Sequence, residues 1–499
     1  MKFGYFEKVF RNGAFRRILP FILIFIFTVG LYARAIGFGF TYLDDNVLII
    51  KNQPFLHNPS NILKAFQTDV FISGNGAKVY YRPALTLTFM LGSLLGGSSP
   101  AVYHFINVFF HFLTTLLVFF TLLELRYSRK KSLAAALVFA THPAISQAIG
   151  WIPGLNDIVL GFFVFLSFFA FLKFISSSKK RWYFLHALSF LMALLSKESA
   201  LVLPLLCLFY YFFIRKERML SNKTLVLAIG WLTSAIVWLS LRSMALGNGL
   251  GYGIKETLQS LLSGIPAFIP YIGKILFPFH LSVFPIMRDS LFIPGFVGIA
   301  LLAFLVIIQK KCTPAMWFGI TWFILFIFPS LIQIGINPPV FHEHRLYVPL
   351  LGFLIFGLEI LPIFKDEEKR KALQKVAISF ILVFSILSLL RLPVFKERFA
   401  FWRNAIATSP NSAFSRNNLG AMYYLDGDTS NAEIEFKKAL ALNPLEPLVH
   451  NNIGLIYAAY GDFKNARGEF LKELEINPTY DDARKNLDSL SQKNSPIIK

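Results

Sequence analysis

The chain has 499 residues, of which 55% are hydrophobic and 56 are phenylalanine, and its mean hydropathy is +0.57. That balance excludes an ordinary soluble domain and points to an all-α, polytopic membrane protein whose solvent is the bilayer. A formal net charge of +21 would suit a nucleic-acid partner, but the Lys and Arg punctuate apolar runs instead of gathering on one arm, which excludes nucleic acid and marks cytoplasmic loops.

The basic start is followed by an apolar run at 18–38, long enough for a hydrocarbon core that takes about 20 residues. It has no convincing small-residue cleavage site and is read as a retained first helix rather than a signal peptide. Further runs follow at 101–125, 133–150, 158–174, 183–195, 200–214, 225–241, 292–308, 315–334, 346–364 and 376–390. Basic clusters such as RYSRKK, SSSKKR and RKER fall after every second crossing. With a cytoplasmic N-terminus this predicts about eleven transmembrane helices and an external C-terminus. The runs 183–195 and 200–214 are taken as a hairpin of two short helices. The Pro-rich stretch 267–284 is taken as interfacial or re-entrant, because another crossing would put the next basic cluster outside. Residues 1–391 thus form a membrane domain, with an external loop at 39–100.

Beyond Arg391 the composition turns polar and a repeat appears. Asn418-Leu419-Gly420 recurs as Asn452-Ile453-Gly454, Gly427-Asp428 as Gly461-Asp462, Phe436 as Phe470, and Asn443-Pro444 as Asn477-Pro478, each thirty-four residues on. That period matches tetratricopeptide repeats, helix–turn–helix units that bury their apolar faces only against neighbours. Two repeats are assigned to 411–491, with a terminal helix near 481–491, a linker and capping helix at 392–410, and a tail at 492–499. Such a module holds a protein or peptide partner, or serves as a packing unit.

The topology places the unusual polar groups at one external interface. Asp44 and Asp45 follow the first helix. Adjacent side chains point apart, so one acid is expected to face a site and the other to tie the loop; together they repel and raise a proton affinity toward general-base range. The alternative is an N-cap for the following helix. Arg82, Lys197 and Arg345 flank apolar segments where an unpaired charge costs roughly 2.5–3.5 kcal/mol. Glu198 and Glu343 could offset them internally, or a lipid-linked phosphate could, and the planar fork of Arg345 suits two phosphate oxygens. His104, Asn107 and His111 share one face of the second helix, for interhelical hydrogen bonding or a metal. His342 and His344 in HEH would point different ways on a helix, and His142 before Pro143 is expected to shape a helix end. Cys207 and Cys312 offer neither metal spacing nor a disulfide.

The ordered set of acid pair, VYYRP with Tyr81, YHFINVFFH, HPAISQAIGWIPGLND with Asp157, SKE, EHRLYVP with Tyr347, and then repeats resembles the transmembrane and tetratricopeptide-repeat O-mannosyltransferases and their bacterial relatives, within the GT-C class. Where that family tends to carry Gly-Arg-x-Asp, this chain has Gly154-Leu155-Asn156-Asp157, so one cation is absent. The resemblance implies a glycosyltransferase that moves a sugar such as mannose from a polyprenyl-phosphate lipid to an acceptor, with inversion, on the non-cytoplasmic face; the Lys- and Phe-rich composition points to a bacterial inner membrane with the repeats in the periplasm. The acceptor is a protein hydroxyl, met through external repeats. It implies Asp44 or Asp45 as base and Arg345, Lys197 and Arg82 at the donor phosphate. Glu198, His111, His104, Asn107, His142, Asp157, Tyr81, His342, Glu343 and Tyr347 are in support. A divalent metal stays open as a cofactor. A membrane receptor, scaffold or transporter is the alternative, although no paired internal repeats or midplane polar groups favour transport.

Overall fold

A computed structural model of the chain describes residues 13–72, 79–218, 221–247, 253–309, 312–333, 339–361 and 366–493. The basic start up to residue 12, Lys310, Lys311 and the tail beyond residue 493 lie outside the described residues. The protein is all-α and forms two compact units, one of Met1–Leu281 with Leu291–Glu397 and one of Ser282–Ser290 with Arg398–Lys499.

In the first unit, six helices among the described residues are long and apolar enough to span a bilayer: Phe15–Gly37, Pro100–Glu124, Ile152–Ser177, Asn222–Leu246, Pro314–Leu331 and Glu367–Phe395. This is a multi-pass membrane protein. By length and composition alone, six of the described helices could cross, or seven with one bent pair, where the sequence predicts about eleven. Shorter apolar helices cover Pro83–Gly96, Glu198–Ile214, Ile293–Gln309 and Pro349–Ile360. The first of these lies in what the sequence presents as an external loop; Pro83 opens it, at a position where a missing N–H costs nothing.

The run expected as one crossing at 133–150 is instead two helices, Arg129–Thr141 and Pro143–Gly150, bent by 49°. The cause is local. Pro143 cannot donate to the preceding turn, and His142 before it is extended at φ −66°, ψ 121°. In the Pro-rich stretch, Phe268–Leu276 is the end of a helical run that starts at Ile254 and passes through a tight turn at Ile265–Ala267, and this run is not among the described helices long and apolar enough to span. Helices Pro314–Ile327 and Pro349–Ile360 touch backbone to backbone: a Cβ on Gly319 would lie 2.6 Å from Phe356 N.

The second unit is a stack of helices, Arg398–Thr408, Ala413–Leu425, Thr429–Leu442, Val449–Ala459, Phe463–Ile476 and Asp481–Lys493. Gly420 lies against the ring of Phe436 and Gly454 against Phe470, each at 2.6 Å from a would-be Cβ, so the thirty-four-residue period is a period of contacts. Gly427 and Gly461 turn each helix pair at φ +84° and +79°, a region open to glycine. Ser282–Ser290 belongs to this unit although the sequence places it beside a membrane segment. It is held by Asn411, which donates to both carboxylate oxygens of Asp289 at 2.9 and 2.6 Å, by Asn404 Oδ1 accepting from Val283 N at 3.2 Å, and by Phe284 stacked on Phe414.

Candidate active site

The acid pair follows the first crossing, and its two members differ. Asp45 is fully buried, and its Oδ2 accepts from Thr41 N at 2.6 Å and Thr41 Oγ1 at 3.0 Å. Trp151 Nε1 donates to the same Thr41 oxygen at 3.0 Å, tying the loop to the far side of the bent pair. Neither acid is an N-cap: Asp45 has helical φ and ψ and makes no capping bond to the helix that follows. Asp44 is half-buried. Burial and the neighbouring Asp45 push its carboxyl up to about 6 against the opposing field of Arg82.

Arg82 lies over the Tyr80 ring at 4.7 Å and 3.6 Å from Glu198 Oε1. With the Asn156 amide oriented to satisfy its neighbours, Oδ1 accepts from Arg82 Nη1 and Nδ2 donates to Ser196 O, both at 3.0 Å. Lys197 Nζ bonds Asp157 Oδ1 at 2.8 Å. Burial lowers the proton affinity of this amine; Asp157 opposes the shift, and Arg82 and Arg345 add to it. His344 Nε2 stands 3.9 Å from Asp157 Oδ2 and its ring 5.4 Å from Trp151. Burial and the charges of Lys197 and Arg345 hold this imidazole well below its usual range, hence neutral at pH 7. Arg345 Nη1 donates to Ser330 O at 2.8 Å. Asp44, Arg82, Asn156, Asp157, Lys197, Glu198, His344 and Arg345 therefore make one electrostatically linked cluster, with cations from three separate segments.

Several expected partnerships are different. Glu343 does not offset Arg345; it is fully buried between Lys274 at 2.8 Å and Arg391 at 3.1 Å. The internal counter-ion of Lys197 is Asp157. His342 and His344 do not point apart but stack, with centroids 4.9 Å apart, because His342 precedes the short helix in an extended conformation. Among the described residues no three His, Cys, Asp or Glu side chains gather as a metal site would need.

The remaining expected residues hold the frame. Asn107 Nδ2 lies 3.0–3.4 Å from the carbonyls of Ala148, Ile149, Trp151 and Ile152, at the buried C-terminal end of the bent pair and the turn after it. His111 Nδ1 meets Tyr347 OH at 2.8 Å and Nε2 meets Ala140 O at 3.1 Å. His142 accepts from Ala144 N and reaches Ile275 O at 3.0 Å. His104 approaches Gly39 O at 3.4 Å, and Tyr81 donates to Phe66 O at 3.0 Å.

Residues 72–249 match the dolichyl-phosphate-mannose-protein mannosyltransferase family. The chain is 30% identical over 178 residues to protein O-mannosyl-transferase Tmtc1 of Drosophila melanogaster, covering 36% of this chain and 21% of that one. It is similar to the protein O-mannosyltransferases. With tmtc2 of Xenopus laevis it shares 35% identity over 151 residues, 30% of this chain and 18% of the relative; with TMTC3 of Homo sapiens, 29% over 140 residues, 28% and 15%. The chain thus spans about a fifth of the length of these O-mannosyltransferases. The matched segment carries Arg82, Asp157, Lys197 and Glu198; Asp44 and Arg345 lie outside it.

Two residues escape the sequence reading. Arg242 donates to Val79 O at 3.2 Å and its charge helps hold Glu198. In the sequence it looks like one more basic residue at a helix end. Asp69 accepts from Phe71 N, Val79 N and Tyr80 N at 2.7–2.8 Å, which fixes the strand of chain leading into Arg82. The available signal was an acid ten residues before VYYRP, a spacing that names no chemistry.

Proposed function

We propose that the protein is a membrane glycosyltransferase that moves mannose from a polyprenyl-phosphate lipid to a protein hydroxyl on the non-cytoplasmic face of a bacterial inner membrane. The division of labour between the two acids carries this reading: burial raises the proton affinity of both, but Asp45 is spent on its two bonds to Thr41, whereas Asp44, raised to about 6, lies in the field of Arg82 beside the cationic cluster, as a general base would. Asp44 takes the acceptor hydroxyl's proton as the new oxygen–carbon bond forms. The bond from the anomeric carbon to the phosphate oxygen breaks on the opposite face, which inverts that carbon, and the electron pair leaves on the lipid phosphate. Arg345, Lys197 and Arg82 meet that charge in a site of low water content, where fixed cations act strongly. Asp157 keeps Lys197 charged until a phosphate arrives.

The repeat unit, read as tetratricopeptide repeats, holds the protein acceptor. Its binding far from the reacting carbon orients the hydroxyl. The test is transfer from polyprenyl-phosphate mannose by purified full-length protein. Asp44→Asn is expected to abolish transfer, while Asp45→Asn, which can still accept from Thr41, retains part of it. Full activity of Asp44→Asn would remove the base from this scheme.

A further inference from the structure

The chain passes between its two units at Leu281–Ser282, Ser290–Leu291 and Glu397–Arg398. Leu281 and the segment ending at Glu397 are also what the two loops of the candidate site rest on. Leu281 O accepts from Arg391 Nη1, and Arg391 Nη2 bonds Glu343 Oε2 at 3.1 Å. Glu343 also takes Lys274 at 2.8 Å and stands two residues before Arg345. On the other side, Lys396 O accepts from Gly39 N at 2.8 Å, five residues before Asp44. The buried ring of Phe395 fills the space over Gly150, next to Trp151, where a Cβ would lie 2.5 Å from it.

A buried carboxylate between two cations gains little over apolar packing of the same volume, because its desolvation cost is large. What such a cluster does supply is a defined geometry: removing one charge leaves another uncompensated, so the segments move together or not at all. Here the segments so joined are the Arg345 loop, the helix carrying Lys274, and the two ends of chain that lead into the repeat unit.

We propose that these junctions position the active site: Arg391 acts through Glu343 on the Arg345 loop, and Lys396 acts through Gly39 on the Asp44 loop. Arg391, Glu343 and Lys274 are positioning residues, and the inference rests on the donor-phosphate reading of Arg345. Linkage is reciprocal, so a ligand at Arg345 must also be felt at the junctions.

The experiment uses full-length protein in lipid nanodiscs and a short-chain polyprenyl phosphate as probe. Hydrogen exchange of the unaltered chain is expected to slow at 342–347 and, with it, at 391–397 when the probe binds. Arg391→Lys keeps the charge but loses the planar fork whose two nitrogens meet Leu281 O and Glu343 Oε2 separately, and is expected to weaken probe binding about tenfold, as a lost charge-assisted bond would. Protection confined to 39–45 and 342–347, or unchanged binding by Arg391→Lys where Arg345→Ala fails to bind, overturns the coupling and leaves the donor reading standing. Unchanged binding by Arg345→Ala overturns both.

Discussion

The two units use polar side chains in opposite ways. In the repeat unit several bonds have a twin: Asn452 donates to Asn417 and Asn486 to Asn451, both at 2.9 Å, and Asp428 and Asp462 each accept from the side-chain amide three residues on, both at 2.6 Å. In the membrane unit the bonds that build the candidate site join remote segments. Lys197 finds Asp157 across 40 positions, Trp151 finds Thr41 across 110, and His111 finds Tyr347 across 236. Repetition spreads stability over equivalent contacts, whereas the proposed site, with one candidate base and three cations, would concentrate its chemistry in contacts that nothing else replaces.

The sharpest separation of the two is expected at Asp44. Asp44→Asn should lower transfer by about 10²–10⁴-fold, the usual worth of a general base, without lowering the melting temperature. The sign follows from linkage. The folded-state carboxyl is raised to about 6, so the folded chain binds this proton more tightly than the unfolded one. The stability this confers is complete at low pH and is lost as pH rises through about 6, which makes the ionised acid a burden at pH 7 that Asn removes. Transfer should show the opposite trend, falling as pH drops through the same region. A fall in melting temperature for Asp44→Asn at pH 7 would mean that both acids are structural.

Phe470→Ala should act in the reverse manner. It empties the space against Gly454 in a buried position, at a cost of about 3–5 kcal/mol. Phe436→Ala, its twin against Gly420, should cost the same within experimental scatter. Calorimetric unfolding of the full chain reads both, and a large inequality would break the equivalence of the repeats.

This contrast also explains what could be read from the sequence. The repeat was legible because its contacts recur at one offset, so Gly454 and Phe470 announce each other through Gly420 and Phe436. The apolar runs were legible because a bilayer demands length. Arg82, Lys197 and Arg345 were visible as cations misplaced beside apolar segments, but their counter-ions were not, since only the folded helices bring Asp157 to Lys197 and hand Glu343 to Lys274 and Arg391. The break at His142 hid inside a continuous apolar run, and with it the carbonyls that Asn107 serves. Ser282–Ser290 carries no periodicity of its own, and joins the repeat unit through bonds to Asn404, Ser409 and Asn411 that no local pattern foretells.

Asp45→Ala tests the structural half of the acid pair. It leaves the buried Thr41 N–H without its acceptor, for a loss of about 1–3 kcal/mol. Because Thr41 also receives Trp151, the indole should become more exposed to solvent, read as a red shift in tryptophan emission. Asp45→Asn should restore most of the stability, since an amide oxygen can accept the same two bonds. If Ala and Asn at this position melt alike, the bonds to Thr41 are not what Asp45 contributes.

The smallest effect is expected from the asparagine pairs that join successive repeats. Asn452→Ala strips the partner from Asn417 Oδ1, and Asn486→Ala strips it from Asn451 Oδ1. Both acceptors belong to buried residues, so each loss should amount to on the order of 1 kcal/mol. Asn417 retains its bond from Nδ2 to Pro447 O, and this keeps the change from spreading through the first repeat. In a stack whose stability is a sum of units and nearest-neighbour interfaces, the two substitutions touch different interfaces and should add. Denaturant midpoints of the two single variants and the double variant would show this. A double variant that loses much more than the sum would mean that the repeats melt as one block, and that the redundancy separating them from the active site is only apparent.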